Sequence, residues 1–187
     1  MVMTVPSSPP QRDLAVTPVL YALRDCLERQ LRVIGRPVCR LPITFHQSLP
    51  AADACDCFCD DGGQGQGWVR WVQTEPAQSG ANVMGSPCAD GLVDITVEAG
   101  VYRCWPVPQT GPLSQQEEET AALGMLRDAM ALRKALQCCP TLANEQWELV
   151  REEPTGPQGG CIGVTIQARF LRFDCGCPEH QQGVSPR

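Results

Sequence analysis

Apolar and polar positions follow a helical period in the first part of the chain. From Val19 to Ile34, apolar residues recur at steps of three and four, which is typical of an amphipathic helix with one buried stripe. Thr17 and Pro18 precede this stripe, so we expect the helix to begin there with Thr17 as its N-cap. Gly35 and Pro37 follow it and indicate the helix end.

A second helix is predicted after residue 114. Ser114 and Glu117 have the spacing of a capping box, in which each side chain bonds the other residue's backbone N–H. Cys138 and Cys139, followed by Pro140, close the helix. The predicted core stripe of this helix consists of Ala122, Met125, Leu126, Ala129, Met130, Arg133 and Leu136.

The remaining periodic segments favour strands. Two long runs alternate apolar and polar residues with a period of two, which is typical of a half-buried strand. The predicted strands are Val38–His46 (an edge strand, because of Pro42), Trp68–Thr74, Val93–Val101, Trp147–Val150 and Ile162–Phe170. The order is therefore helix, three strands, helix, two strands. This order predicts an α+β fold, with one mixed, mainly antiparallel sheet and two helices packed on one of its faces.

The length of the chain predicts one core and a single folded domain. With 187 residues it falls within the usual size of one domain. We assign this domain to residues 13–177, after a Pro/Ser-rich arm at 1–12 and before a polar tail at 178–187. Residues 47–67 form a long loop of Asp, Gly and Cys, and a loop of this length inside a domain is usually functional.

Charge and hydropathy exclude several classes of function. The net charge of -6 argues against binding to nucleic acid, which depends on clustered Lys and Arg. No basic start followed by an apolar segment marks a secretory signal, and no apolar run approaches the roughly 20 residues that cross a bilayer. We therefore expect a soluble protein that is made in the cytosol and has no membrane partner.

Candidate catalytic residues are scarce. The chain has only two histidines: His46 ends a predicted strand beside the long loop, and His180 lies in the polar tail. The sequence contains no nucleophile elbow, metalloprotease helix, phosphate loop or dinucleotide fingerprint. These patterns predict that the protein is not an enzyme and has no catalytic or cofactor-binding residues.

The 12 cysteines are the sharpest chemical feature of the sequence. Cys55 and Cys57 form one C-x-C cluster, which Cys59 extends, and Cys175 and Cys177 form another. Four thiolates from two such clusters can close a tetrahedral zinc site, which would make the chain a zinc-binding or redox module. The alternative is that these cysteines form disulfides or remain free thiols on loops. Zinc is the only cofactor that the sequence suggests.

Four segments of the sequence form a recognisable combination. They are the run from Cys88 to Cys104, the capping box at 114–117, the run Met130–Arg133 followed by Cys138 and Cys139, and the run Gly156–Cys161. Together these segments resemble the neck proteins of actinobacterial long-tailed phages. The resemblance extends over residues 13 to 170. It departs from the family pattern at Gly163, where a pair of glycines is expected. Neck proteins include tail terminators and other head-to-tail connector subunits.

The resemblance implies a mechanical role in the virion. A tail terminator forms a homohexameric ring on the tail tube, stops addition of the major tail tube protein, and joins the tube to the stopper or connector proteins of the head. Genomic DNA passes through the ring without specific binding. The implied location is the tail-neck region of the virion, after assembly in the host cytoplasm. The close alternative is another connector subunit, namely a stopper or head-completion protein.

Two further expectations follow for a virion protein. Thiols that are reduced in the cytosol can oxidise after lysis, and we predict a disulfide between Cys161 and either Cys138 or Cys139. The reason is that the strand beginning at Cys161 would lie beside the end of the second helix. We also expect acidic residues to outnumber arginines in the DNA channel, because the sequence has a set of acids that we expect to be exposed: Asp60, Asp61, Asp94, Glu98 and the run Glu117–Glu119. The alternative is that these acids only solvate the outer surface.

Overall fold

A computed structural model describes residues 15–44, 59, 62–77, 92–105, 112–158 and 160–173. Its elements are α1 (Val16–Val33), β1 (Ile43–Thr44), β2 (Gln66–Pro76), β3 (Leu92–Cys104), α2 (Gln115–Gln137), β4 (Gln146–Gln158) and β5 (Cys161–Phe173). The predicted α+β class and the order of helices and strands are therefore confirmed. The predicted arm, the predicted tail and most of the loop at 47–67 lie outside the described residues.

The five strands form one mixed sheet in the order β1-β2-β3-β5-β4. β1 runs parallel to β2, and every other neighbouring pair is antiparallel. The period-two runs that predicted β3 and β5 place their aliphatic residues on the face that the helices cover. The buried strand residues of this core are Val69, Ile95, Val97, Ala99, Val101, Val164, Ile166, Ala168 and Phe170.

Helix α1 buries the stripe that its sequence predicts. Val19, Leu23, Leu27 and Leu31 are at most 1% exposed, so the helix presents one aliphatic face to the sheet. Its start is different, because Ala15 is the N-cap and makes no side-chain cap hydrogen bond. The prediction of Thr17 as N-cap is therefore wrong. The first helical turn tolerates Pro18 at more than one position, since the N–H groups there have no intrahelical acceptor.

The predicted core stripe of α2 is only partly correct. Ala129 and Leu136 are buried, but Ala122 is exposed and Leu126 is 61% exposed. The buried face of this helix instead consists of Gly124, Asp128, Ala129, Ala131, Leu132, Ala135 and Leu136. A hydrophobicity pattern misses this face because it includes a glycine and a carboxylate, which usually lie at the surface.

The edges of the sheet also differ from the prediction. β4 continues to Gln158, eight residues beyond the predicted strand end at Val150. Pro154 and Pro157 are tolerated there because β4 is the outer strand and an edge strand does not need every backbone donor. β1 is reduced to Ile43–Thr44 within the described part of the chain. Neither described helix is long and apolar enough to cross a membrane.

Candidate functional site

A buried charge cluster joins α2 to β3 and to the segment after α1. The carboxylate of Asp128, which is 1% exposed, accepts two hydrogen bonds from Arg103, at 3.0 and 2.9 Å. It accepts two more from Arg36, at 3.1 and 3.0 Å. Two bidentate arginines therefore enclose one carboxylate, which is the strong geometry for an ion pair of this type. We call these three residues the Asp128 cluster.

The guanidinium of Arg103 has all five N–H donors occupied. Besides Asp128, it donates to the carbonyl oxygens of Arg36 at 2.7 Å, Pro37 at 3.1 Å and Gln64. A guanidinium has five donors in a fixed fork, so this set saturates it. The Asp128 cluster consequently links four stretches of chain around one side chain, and this indicates a structural role for Arg103.

Beside this cluster lies an open cavity of about 800 Å³ between the first half of α2 and the adjoining ends of β3 and β5. Trp105, Met125 and Ile162 give it apolar walls, and Arg36 is among its polar lining residues. Ser114 and Glu117 also line it, but the Ser114 hydroxyl donates to the Glu117 carboxylate at 2.7 Å within the predicted capping box. These hydrogen bonds hold the pKa of Glu117 below its ordinary value. The polar groups of Ser114 and Glu117 at this end of the cavity are therefore already hydrogen-bonded to each other.

The sheet face opposite the helices carries a second, small apolar cluster. The rings of Trp68 and Tyr102 lie with centroids 4.8 Å apart, beside Cys161. Gly100 and Gly163 make room for these rings, because a Cβ at either position would overlap Trp68 or Tyr102. The single glycine at 163 thus has a packing reason. Burial raises the pKa of Tyr102 above its ordinary value.

Glu98 lies on the same face and is only 5% exposed. It is paired with Arg70 at 2.7 Å and accepts hydrogen bonds from Gln167 at 2.9 Å and Trp68 at 3.3 Å. Burial by itself raises the pKa of Glu98, but the hydrogen bonds and the charge of Arg70 outweigh it and hold the pKa below its ordinary value.

The burial of Glu98 corrects the expectation of an exposed acid at this position. Its negative charge is neutralised by Arg70 and is not available to repel DNA. Among the other acidic candidates, Asp94 is half-buried and the run Glu117–Glu119 is exposed on the first turn of α2. Asp60 and Asp61 lie outside the described residues.

The cysteine pairing differs from the prediction. Cys26 on α1 is bonded to Cys139, with Cα atoms 5.6 Å apart, and Cys138 is free and exposed. Cys161 lies directly opposite Cys104 in the β3–β5 register, and both of these cysteines are disulfide-bonded. The predicted bond from Cys161 to Cys138 or Cys139 is therefore wrong. The physical reason is that the end of α2 packs against α1, whereas β5 begins beside the end of β3.

The predicted zinc ligands Cys55, Cys57, Cys175 and Cys177 lie outside the described residues. The third cysteine of the first cluster, Cys59, is bonded to Cys39, and their Cα atoms are 5.7 Å apart. Within the described ranges, no group of three or more His, Cys, Asp or Glu side chains is placed to hold a metal ion. The zinc site therefore stays a prediction, and Cys59 belongs to a disulfide.

Two strands expose apolar side chains at a β-bulge near the edges of the sheet: β2, beyond its short pairing with the outer strand β1, and the outer strand β4. On β2, Trp71 is 40% exposed and Val72, at a register shift in the pairing with β3, is 38% exposed. On β4, Leu149 is 46% exposed and Val150, at a register shift in the pairing with β5, is 44% exposed. We call these two pairs the β2 edge patch and the β4 edge patch. These two patches are the candidate surfaces for protein contact on the sheet.

Comparison with known proteins does not extend this description: no protein-family model matches the chain, and no curated protein sequence matches it. The sequence patterns predicted neither the Asp128 cluster nor the two edge patches. One signal could have revealed Asp128, because Gly124, Asp128, Leu132 and Leu136 follow one another at steps of four along α2. Nothing in the local sequence indicates its partner Arg36, which is 92 residues away.

Proposed function

We propose that this chain is a structural virion protein of a long-tailed phage, a tail terminator subunit that forms a hexameric ring on the tail tube. The ring stops addition of the major tail tube protein and joins the tube to the stopper or connector of the head. The proposal rests on the sequence resemblance over residues 13 to 170. The structural observation that favours it is the presence of exposed apolar groups on several separate surfaces.

A neck ring needs at least three contact surfaces on each subunit. Two different lateral surfaces bind the neighbouring copies, because a ring of more than two members uses heterologous contacts. A third surface binds the ring above or below. The β2 and β4 edge patches supply two apolar surfaces on the sheet. Leu123 and Leu126 supply a third on the outer side of α2, where they are 57% and 61% exposed.

The charge of the protein suits the passage of DNA through such a ring. The net charge is -6, and the described acids that remain exposed without an arginine partner include Glu118 and Glu119 on α2. A surface with excess negative charge repels phosphate at short range, whereas an arginine-rich surface binds DNA with steep salt dependence. The DNA therefore moves through the lumen without specific binding.

The test is to repress synthesis of this chain in host cells that produce the phage and to image the particles. Loss of a terminator leaves filled heads and unattached tails of uncontrolled length, because nothing stops tube growth. Restoring the chain from a plasmid should restore joined particles with tails of one length. Unattached tails of normal length would instead assign the chain to the stopper or head-completion alternative. Normal joined particles would overturn the neck assignment.

A further inference from the structure

The stretches of β2 and β4 that carry the two edge patches lie at the same height along the strand direction of the sheet. Trp71 pairs with Val97, Val97 with Ala168, and Ala168 with Leu149, so both edge patches belong to one row across the strands. The neighbouring rows also contain one residue of β2 and one residue of β4. Thr74 of β2 lies in the row of Trp147 of β4, and Glu75 lies in the row of Gln146.

Outside these rows each edge is less able to accept another strand. On β2, the adjoining residues Val69 and Arg70 already pair with β1. On β4, the far end carries Pro154 and Pro157, which lack a backbone donor. Among the described residues, no strand pairs with the outer side of Trp71–Pro76 or with the outer side of β4. The two accessible stretches are therefore short and matched in level.

The strand directions allow one edge to meet the other edge of a second copy. β2 is antiparallel to β3, β3 to β5, and β5 to β4, so β2 and β4 point in opposite directions. A second copy placed beside the first without reversal brings its β2 next to the first copy's β4 in antiparallel orientation. The alternation of strand directions then continues across the junction. Because the open rows are at one level, repeated pairing adds little rise and favours a ring.

The side chains at this junction are compatible with contact between copies. Trp71 and Leu149 share the helix side of the sheet, and aromatic–aliphatic cross-strand pairs of this type stabilise sheets. The three acids of β4 are already paired within the chain: Glu148 with Arg169 at 3.0 Å, Glu152 with Arg133 at 2.5 Å, and Glu153 with Arg151. None of them brings an unpaired charge into the junction.

We propose that the β4 edge of one copy pairs with the β2 edge of the next copy, around Leu149 and Trp71, and that this contact is the lateral interface of the assembled protein. The inference rests on the proposed ring and names the two surfaces that close it. The occupant of each edge is a second copy of this chain. Leu123 and Leu126 on α2 take no part in this contact and remain available for a different partner.

The first test is cross-linking between copies. The photoreactive residue p-benzoylphenylalanine replaces Leu149 in the full chain, which is mixed with isotope-labelled wild-type chain before irradiation. We expect links to the labelled peptide that contains residues 66–76. The same probe at position 123 is the control and should give no link to that peptide. Links from position 149 to residues 146–153 of the partner, to α2, or to no labelled peptide at all would overturn the proposal.

The second test separates heterologous pairing from pairing of like edges. Val72→Lys places a charge on the β2 edge, and Val150→Lys places one on the β4 edge. Both positions are exposed, so the thermal unfolding of each variant should match that of the wild type. Each variant alone should fail to associate, whereas an equal mixture should form a 1:1 dimer and nothing larger. A dimer of either variant alone, or wild-type assembly by both, would overturn the proposal.

These outcomes are independent of the particle phenotype that tests the proposed function. A correct edge contact with normal joined particles would remove the tail terminator role and leave the self-association. Tails of uncontrolled length together with links that avoid β2 would support the terminator role and remove the edge contact.

Discussion

The two faces of the sheet hold their buried charges in different ways. On the helix side, Asp128 is 1% exposed and is enclosed by two arginines, one of which has every donor occupied. On the opposite side, Glu98 is 5% exposed but lies on a sheet face that no described helix covers, and it depends on Arg70 and Gln167. Further along this face, Glu148 is 64% exposed while it pairs with Arg169.

Enclosure of an ion pair, more than the number of ion pairs, decides how much each pair contributes to stability. A buried carboxylate whose partner is removed leaves an uncompensated charge in a medium that solvates it poorly. An exposed pair loses little, because water and salt replace the partner. We therefore expect substitutions on the two faces to differ in size by several-fold.

The largest effect is expected from Asp128→Ala. This change leaves Arg103 and Arg36 without their carboxylate, and the side chain of Arg103 is only 8% exposed. The free energy of unfolding should fall by about 3–5 kcal/mol. Urea denaturation measures this loss. Asp25→Ala is the matched control, because Asp25 is 56% exposed in its pair with Arg24 and its loss should have little effect. A loss at Asp128 as small as that at Asp25 would contradict the structural role of the cluster.

The next effect concerns the covalent link between the helices that cover one face. The Cys26–Cys139 bond closes a loop with a sequence separation of 113, so the double variant Cys26→Ala/Cys139→Ala should lose about 2–4 kcal/mol. Urea denaturation under non-reducing conditions measures this change. Cys138→Ala should leave the midpoint unchanged because that thiol is free and exposed. Peptide mapping that links Cys138 or Cys139 to Cys161 would contradict the pairing.

Gly100→Ala tests the small apolar cluster on the opposite face. The added methyl group would overlap the indole ring of Trp68, which is 1% exposed and has little room to move. Thermal or urea unfolding should show a loss of about 1–3 kcal/mol. Gly156→Ala is the control, because a Cβ there meets no atom within 4 Å. Trp68→Leu replaces the indole ring with a smaller side chain that leaves room for the added methyl group. The double variant should therefore lose less stability than the sum of the two single variants.

Glu98→Gln tests the less enclosed charge through its pH dependence. The folded-state pKa of Glu98 lies below its ordinary value, so its contribution to stability is present above the unfolded pKa and is lost as pH falls through the folded pKa. The variant should be less stable than the wild type near neutral pH by about 1–3 kcal/mol. The difference should shrink in acid. A stability difference between the variant and the wild type that stays constant with pH would contradict a stabilising role for the ionised carboxylate.

The smallest effect is expected at the exposed pair of Arg169 and Glu148, which are 40% and 64% exposed. A double-mutant cycle with alanine at both positions should give a coupling energy of about 0.2–1 kcal/mol. Added salt should reduce it further. A coupling as large as the loss at Asp128 would show that enclosure does not explain the difference between the two faces.

Particular elements show where the sequence is informative. The stripe of α1, the alternation of β3 and β5, and the capping box of Ser114 and Glu117 were all predicted correctly. The N-cap of α1, the inward stripe of α2 and the partner of Cys161 were predicted incorrectly. The Asp128 cluster and the two edge patches were not predicted at all. The features that were predicted incorrectly or not at all share one property: each of them except the N-cap depends on residues far away in the chain.

The sequence by itself determined the fold class, because a helix or strand that buries one face must repeat its apolar residues at the period of its own backbone. Tertiary structure decided which face of α2 is buried, because burial of the Asp128 carboxylate is favourable only when Arg36 and Arg103 pair with it. It also decided that Cys139 bonds Cys26, at a sequence separation of 113. A local pattern carries the preferences of neighbouring residues, whereas pairing between distant residues follows from the packing of the completed sheet and its two helices.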